Sequence, residues 1–309
     1  MGTTELITVI IPVYNRENII KRSVESVIRQ SFKQWKLLVI DDCSTDDTFA
    51  VASSISDPRI QVLKTRKNSG AAAARNAGIQ HAVTPYISLL DSDDMYHPDF
   101  LKYSIQAIES TNDSYGFTYT GVGDIEAYKE GEPVSRSVWT LPDRFSKFKK
   151  PYLYQLQVGT AAGITIKKEA FDKIGLFDES LRAAEDTDWF IRASEFYQGL
   201  PIHKNLIFKD NNLSDRLTIN YSKNAFAYKV IMAKQSQEIQ NSVFLMTRWY
   251  YKSMWLNFYS GNKKEATLDY KVLKAHKLAD LKIVLTYFSG VILSRALFIK
   301  LHKKLAKLK

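Results

Sequence analysis

The sequence predicts an α/β fold with a mostly parallel, twisted sheet flanked by helices, followed by a helical extension at the C-terminus. Three observations predict it. Short apolar runs alternate with helical patterns over the first hundred residues, two of those runs end in acidic residues, and the chain becomes basic and aromatic from about residue 220. Alternation of this kind is typical of parallel strands joined by crossover helices.

Four apolar runs are predicted to be strands of this sheet: residues 8–14, 37–40, 60–63 and 87–90. Their continuous apolar character indicates strands buried on both faces. Apolar residues at helical spacing from Ile20 to Ile28 predict the first helix, and residues 71–79 predict an alanine-rich helix before the fourth strand. We expect Asn15 to cap the first helix, because asparagine is a favoured residue at that position.

The composition narrows the possible partners and the compartment. Of 309 residues, 45% are apolar and 25% charged, which is ordinary for a soluble globular protein. The net charge of +10 favours an anionic partner: a nucleic acid, a phosphorylated substrate or an anionic membrane. Cys43 is the single cysteine, so a disulfide framework is excluded and a reducing compartment fits. The N-terminus lacks a basic region, and we expect no signal peptide.

Acidic residues follow two of the predicted strands. Asp41 and Asp42 end the second, and Asp91, Asp93 and Asp94 end the fourth. One such cluster is usually a solvated turn, but the carboxyl ends of parallel strands meet at the edge where ligands bind. Close carboxylates repel one another unless a cation lies between them, and their oxygens suit Mg²⁺ or Mn²⁺. Two acidic strand ends together therefore favour a functional site.

A third acidic cluster comes later in the chain. Glu185, Asp186 and Asp188 occupy the first turn of a predicted helix, where acidic side chains interact well with the helix dipole. Helix capping explains Glu185 or Asp188. Residues 159–166 precede this helix and have no bulky side chain before Ile164, as in a strand that a ligand approaches closely. We therefore expect these two segments to contribute to the same site.

The C-terminal residues suggest a membrane surface. Residues 283–299 are mostly apolar, and a lysine-rich segment follows them. This run is shorter than the roughly 20 residues that span a bilayer, and Arg295 lies within it. We expect an amphipathic helix in an anionic interface. The alternative is a helix packed on the protein core with an exposed basic tail.

Five motifs resemble, in order and spacing, those of family 2 glycosyltransferases of the GT-A fold. They are residues 9–15, residues 38–48, residues 68–79 with Asn68-Ser69-Gly70 and Ala74-Arg75-Asn76-Ala77-Gly78, residues 87–94, and Glu185-Asp186. The resemblance covers residues 6 to about 215. It implies a GT-A nucleotide-sugar-binding domain over residues 1–220, followed by a helical, basic and aromatic region over residues 221–309.

The resemblance implies an inverting hexosyl- or hexosaminyltransferase that uses Mn²⁺ or Mg²⁺ and a nucleotide-sugar donor, with a UDP-sugar as the favoured choice. The acceptor would be a hydroxyl of a cell-surface glycan or its lipid-linked precursor, on the cytoplasmic face of the membrane. Two alternatives stay open: transfer to a polyprenyl phosphate, whose nucleophile is already an anion, and a non-catalytic sugar-nucleotide-binding protein. Nucleic acid is not expected as a partner, because the basic residues form no known recognition module.

The resemblance also assigns roles residue by residue. It implies nucleotide contacts from Pro12, Tyr14, Asp42, Arg75 and Asp91. Metal contacts would come from Asp91 and Asp93, with Asp94 as a further candidate. Asp186 would be the base, supported by Glu185, and the substrate pocket would be formed by Thr160, Ala161 and Gly163. Within this set, Asp42 would bind the base ring and Arg75 would face the diphosphate.

Two departures from the family pattern are informative. The stretch that often contains Arg-x-His is replaced by residues 209–214, where Lys209 stands for the arginine and the histidine is missing. The third metal ligand is therefore unassigned. The Q-x-x-R-W signature of processive synthases is absent as well, which favours the addition of one sugar per event.

Overall fold

The computed structural model of the protein describes residues 5–129, 132–139, 152, 163–209 and 220–306. The chain folds into two compact units. The sheet unit comprises Met1–Ser180 and Glu185–Leu213, and the helical unit comprises Leu181–Ala184 and Ser214–Lys309.

The sheet unit is built on nine described strands in the order β3-β2-β1-β4-β8-β6-β9-β5, with β7 paired to β6. The strands are β1 Ile7–Val13, β2 Trp35–Asp41, β3 Ile60–Lys64, β4 Tyr86–Leu89, β5 Asp94–Tyr96, β6 Tyr115–Lys129, β7 Glu132–Trp139, β8 Ile164–Lys167 and β9 Gln198–Lys209. Pairings among β1, β2, β3 and β4 are all parallel, so the carboxyl ends of these four strands lie at one edge. Beyond β4 the sheet is mixed: β8 is antiparallel to β4 and β6, and β6 is parallel to β9.

Helices cover both faces of the parallel strands. The described helices of this unit are α1 Ile20–Ile28, α2 Thr48–Ser53, α3 Ala71–His81, α4 Phe100–Glu109, α5 Ala170–Ile174 and α6 Glu185–Ala193. The odd-numbered residues of β1, from Ile7 to Val13, share a core cluster with Ile20, Val24 and Val27 of α1. Successive strand residues point to opposite faces, so the even-numbered Ile10 meets α3 instead. This explains why the strand is apolar at almost every position.

Close contact between α3 and β1 depends on Gly78. A Cβ atom at this position would lie 2.5 Å from Cγ2 of Ile10, nearer than carbon atoms can approach without displacement. Ile10 is fully buried. The glycine therefore lets the α3 backbone pack directly against the strand, and this contact helps to position Arg75 one turn earlier on the helix.

Residues 220–306 of the helical unit form a series of helices. They are α7 Tyr221–Lys234, α8 Ser236–Gln240, α9 Val243–Ser260, α10 Lys263–Ala275, α11 Leu281–Ile292 and α12 Arg295–Ala306. Side chains at four helix starts accept the exposed backbone N–H groups, as N-caps do: Asn220, Ser242, Asn262 and Asp280. A buried core cluster of this unit consists of Met254, Phe258, Tyr259, Ala266, Leu273, Ile283 and Phe298.

The four predicted strands of the parallel region correspond to β1, β2, β3 and β4, within one or two residues at most ends. The sequence does not predict β5, β7 or β9. The strand expected within residues 159–166 is described from Ile164, and residues 153–162 lie outside the described part of the chain. The expected start of the helical region at about residue 220 coincides with the capped beginning of α7.

The prediction that Asn15 caps the first helix is wrong. Helix α1 begins at Ile20 without a side-chain cap. Asn15 lies in the left-handed region, with φ of +49°, and its Oδ1 accepts a hydrogen bond from the Thr45 N–H at 2.9 Å. The left-handed turn directs the amide away from α1 and toward the loop after β2, so the residue joins two strand ends instead.

Within the described residues, no helix combines the length and the apolar composition that crossing a membrane requires.

The Gly78 contact gives a stability prediction. Gly78→Ala should lower the free energy of unfolding by about 1–3 kcal/mol, because the added methyl group overpacks against Ile10. The measurement is urea denaturation followed by tryptophan fluorescence. In an Ile10→Ala background, which removes the clashing methyl group, the same substitution should cost clearly less. An equal cost in both backgrounds would contradict this account of the contact.

Candidate active site

Three carboxylates converge just beyond the end of β4. Oxygens of Asp91, Asp93 and Asp94 all lie within 4.8 Å of one another. Asp94 is buried, whereas Asp91 and Asp93 are partly exposed. Hard divalent cations such as Mg²⁺ bind oxygen ligands at about 2.1 Å, so this donor set fits one shared cation, which would also relieve the repulsion among the carboxylates. Asp94, the further candidate for metal contact, supplies the third carboxylate of this cluster.

Helix α1 holds the backbone of this acidic turn. Arg22 Nη2 donates to the carbonyl oxygen of Asp93 at 3.0 Å, and Ser23 Oγ donates to that of Ser92 at 2.8 Å. Neither residue is predicted by the sequence as part of the site. They are consecutive residues of a helix, in which an arginine and a serine are ordinary, so no sequence signal distinguishes them.

Arg75 connects the acidic turn to helix α6. Its Nη2 lies 2.7 Å from Asp91 Oδ1, and its Nη1 lies 2.5 Å from Glu185 Oε1. Its side chain is 5% exposed. Burial alone would lower the pKa of Arg75, but the charges of the two carboxylates outweigh it and keep the pKa above its ordinary value. One buried guanidinium thus joins residues that are far apart in the sequence.

The three acidic residues at the start of α6 have different partners. Glu185 is paired with Arg75. Asp188 is buried and forms an ion pair with Arg192 Nε at 2.9 Å, one turn along the same helix. Arg192 also donates to the carbonyl oxygens of the segment before the helix, which identifies this pair as structural. Asp186 accepts the N–H of Thr187 at 2.6 Å and stays half-buried.

The environment of Asp186 changes its acidity. Burial and then the neighbouring charge of Glu185 raise the pKa of Asp186 to about 7, and the positive charge of Arg75 acts in the opposite direction. A carboxyl group with a pKa near neutrality is well suited to accept a proton at physiological pH. Its partial exposure leaves the group accessible to a substrate.

The acidic residues that end β2 have partners within the protein. Asp41 is fully buried, with Lys64 Nζ at 3.5 Å. The Asp42 carboxylate accepts the N–H of Ser69 at 3.0 Å, the N–H of Gly70 at 2.6 Å and the Thr65 hydroxyl at 3.1 Å. It therefore anchors the loop that leads into α3. The contact between Asp42 and a base ring stays a prediction. It requires an Asp42 oxygen to accept hydrogen bonds from both the base ring and one of these loop donors.

The other predicted nucleotide-binding residues lie near the same edge of the sheet. Pro12 is a buried residue of β1, and Tyr14 follows the strand with 42% of its surface exposed. The Tyr14 ring is therefore accessible to a ligand at the carboxyl ends of the strands. The predicted contact of Arg75 with the diphosphate stays a prediction, because its described partners are the two carboxylates.

Gly163 lies at this edge as well, since its N–H donates to the Leu89 carbonyl at 3.3 Å. It has a φ of +85°, and a Cβ there would lie 2.6 Å from Cγ1 of Ile207. The backbone conformation and this close packing both require glycine. Its place in a substrate pocket stays a prediction, and the other two pocket residues, Thr160 and Ala161, lie outside the described residues.

Lys209, the expected substitute for the family arginine, ends β9 opposite Asp94 in the antiparallel pairing of β5 and β9. Residues 210–214, the rest of the departing stretch, lie outside the described part. The neighbourhood of Lys209 and Asp94 is not predicted from the sequence, because it depends on the pairing of two strands that lack a clear apolar pattern.

Several proteins with related sequences are named as glycosyltransferases. The chain is 33% identical over 202 residues to an uncharacterized glycosyltransferase of Rickettsia prowazekii, covering 62% of this chain and 60% of that protein. It is 38% identical over 110 residues to the Escherichia coli UDP-Glc:alpha-D-GlcNAc-diphosphoundecaprenol beta-1,3-glucosyltransferase WfgD, covering 36% of this chain and 44% of WfgD. The chain thus spans less than two thirds of the length of these relatives.

A solved structure confirms the predicted GT-A fold. The mannosyltransferase PcManGT of Pyrobaculum calidifontis, in complex with GDP-Man and Mn²⁺, superposes with a TM-score of 0.60 at 14% identity, covering 94% of this chain and 80% of that chain. At this identity the likeness concerns the fold alone. The sequence profile of glycosyl transferase family 2 matches residues 8–175, which is more than half of the chain. The protein therefore belongs to glycosyl transferase family 2, as its motifs indicate.

Proposed function

We propose that the protein is an inverting, metal-dependent glycosyltransferase that transfers a hexose or hexosamine from a nucleotide donor to an acceptor hydroxyl. One observation carries the proposal: Arg75 joins the acidic turn at Asp91 to Glu185, so that Asp186 lies close to a possible cation site. A transferase of this kind needs those two parts together. One neutralises the leaving diphosphate, and the other removes a proton from the acceptor.

The proposed donor is a UDP-sugar. WfgD, whose name specifies UDP-Glc, supports this choice among nucleotides. Tyr14 is exposed at the end of β1, where its ring would stack on the nucleobase, and Asp42 and Pro12 are proposed to complete the nucleoside pocket. Strand carboxyl ends are the usual location of nucleotide sites in open α/β sheets.

Asp91 and Asp93 would hold the divalent cation, with Asp94 as the third carboxylate of the cluster. A bound Mn²⁺ or Mg²⁺ would supply Lewis-acid neutralisation of the negative charge that develops on the diphosphate. The ion pair with Arg75 holds one Asp91 oxygen in place and leaves the second oxygen of that carboxylate for a ligand.

Asp186 is the proposed base. The acceptor oxygen attacks the anomeric carbon, the bond from that carbon to the diphosphate oxygen breaks, and the acceptor proton passes to the Asp186 carboxylate. The bonding electrons leave with the nucleoside diphosphate. Because the attack and the departure occur on opposite sides in one step, the configuration at the anomeric carbon inverts. Glu185 supports this step by holding Arg75, which fixes the start of α6.

The proposed acceptor is a hydroxyl of a cell-surface glycan or of its lipid-linked precursor. WfgD is named for a diphosphoundecaprenol-linked acceptor, and it supports a lipid-linked substrate. We accordingly propose that the enzyme works at the cytoplasmic face of a membrane, where such precursors meet soluble sugar nucleotides.

The base assignment predicts the effect of one substitution. With the UDP-sugar that gives the fastest nucleotide release, Asp186→Asn should lower kcat by at least about 100-fold, since general bases contribute factors of about 10²–10⁴. Affinity for UDP, measured by calorimetry, should change little. Asp172→Asn, at an exposed carboxylate on α5, is the matched control and should leave kcat unchanged. Undiminished turnover by Asp186→Asn would remove Asp186 as the base and favour an acceptor that is already an anion.

The same assignment gives the expected pH dependence. The base works only in its deprotonated form, so kcat/KM should rise as the pH increases through about 7, where Asp186 titrates. The residual activity of Asp186→Asn should lack this acidic limb. A wild-type profile that stays flat from about pH 5 to pH 8 would contradict the assignment.

The cation proposal has its own test. Chelation with EDTA should abolish sugar transfer, and added Mn²⁺ should restore it. Asp93→Asn should raise the Mn²⁺ concentration for half-maximal activation by at least about tenfold. Changing only a hydrogen-bond partner of a metal ligand already alters metal affinity by factors of about 10–100, and Asp93 is proposed as a ligand itself. Asp113→Asn, at a fully exposed carboxylate, is the control. Full activity of the EDTA-treated enzyme would contradict the proposed metal dependence.

A further inference from the structure

Helix α11 buries one face and exposes apolar side chains on the opposite face. Ile283, Thr286 and Gly290 are its buried residues, spaced three and four positions apart. The opposite face carries the outer stripe, which we define as Leu281, Leu285, Phe288 and Ile292. These side chains recur at four- and three-residue spacing, and each has between 51% and 75% of its surface exposed. Soluble proteins rarely expose contiguous apolar stripes of this kind unless a partner covers them.

Helix α12 adds leucines and lysines to this surface. Its buried Phe298 stacks edge-on against Phe258 of α9, with ring centroids 5.3 Å apart. Gly290 of α11 packs on the same Phe258 ring. Both helices therefore turn their outer faces away from α9. On α12 that outer face presents Leu297 and Leu301, which are exposed. Lys300 and Lys304 lie beside them at helical spacing, and both are exposed.

The charge of this segment has one sign. Residues 281–306 contain no acidic residue, and their cations are Lys282, Arg295, Lys300, Lys303 and Lys304. An apolar stripe with flanking cations is complementary to a bilayer of anionic lipids, whose headgroups attract lysines and whose acyl chains accept apolar side chains.

The length of α11 determines how it would meet a bilayer. The helix has 12 residues, which corresponds to about 18 Å. The hydrocarbon core is about 30 Å thick. A helix of this length, buried along one face by its own protein, lies in the plane of the interface rather than across it.

We propose that the outer stripe of α11, with Leu297, Leu301, Lys300 and Lys304 of α12, docks onto the surface of an anionic lipid bilayer. This docking proposal rests on the proposed function, because its purpose would be to bring the enzyme to a lipid-linked acceptor. Its binding is measured without catalysis, so the two can fail separately. Charge disfavours a second copy of the chain as the occupant, because a symmetric contact through this surface brings identical lysines together.

The test is sedimentation of the full chain with vesicles of phosphatidylcholine alone, or of phosphatidylcholine with phosphatidylglycerol. The wild type should bind the anionic vesicles, and binding should weaken as salt is raised. Leu285→Gln/Phe288→Gln should reduce binding at least about tenfold, because it removes two apolar side chains from the contact. Leu268→Gln, at an exposed leucine of α10 outside the surface, is the matched control and should bind like the wild type.

A second variant tests the charges. Lys300→Gln/Lys304→Gln should weaken binding to anionic vesicles by at least about tenfold, since each lysine near such a surface contributes about 1 kcal/mol. Circular dichroism should match the wild type for both variants, because the changed side chains are exposed.

Three results would overturn the proposal. The first is a wild-type chain that does not sediment with anionic vesicles. The second is equal binding by the wild type and Leu285→Gln/Phe288→Gln. The third is a wild-type dimer in analytical ultracentrifugation that Leu285→Gln/Phe288→Gln converts to a monomer without any vesicle binding, which would assign the stripe to contacts between copies of the chain.

Discussion

The arrangement of the site depends on the buried guanidinium of Arg75 and its two carboxylate partners, Asp91 and Glu185. Removing such a group from water is costly, and it is tolerated only where opposite charges and hydrogen bonds compensate for it. The loss of either partner would leave a buried N–H group of the guanidinium without its carboxylate acceptor. This requirement couples the acidic turn after β4 to the first turn of α6, although about ninety residues separate them. The donor side and the acceptor side of the proposed reaction are therefore positioned by one interaction.

Ion pairs also give the acidic residues of the site different roles. Glu185 is committed to Arg75 and Asp188 to Arg192, so Asp186 is the acidic residue of this turn that keeps contact with solvent and has a pKa raised to about 7. In the other acidic segment, the carboxylates stay close to one another and suit a cation. One cluster is thus electrostatically prepared to bind positive charge and the other to accept a proton, which is the pairing that the proposed single displacement needs.

Much of the fold follows from local pattern. The continuous apolar runs predict β1 to β4, because strands covered on both faces need apolar residues at nearly every position. The sequence does not predict β5 and β9, since their pairing joins segments more than a hundred residues apart and neither has a regular apolar pattern. The sequence also does not predict which way these side chains point. Asn15 turns toward the loop after β2, and Asp42 anchors residues 65–70. Composition predicts a basic, aromatic C-terminal region, but only the buried face of α11 reveals which of its apolar residues stay exposed.

The central claim is a single displacement at the anomeric carbon, and the anomeric configuration of the product tests it most directly. Proton NMR of the glycoside formed from an α-linked UDP-sugar gives this configuration from the coupling constant of the anomeric proton. A single displacement predicts a β-linked product. An α-linked product would contradict it, because retention requires either two successive displacements or attack from the side of the leaving group.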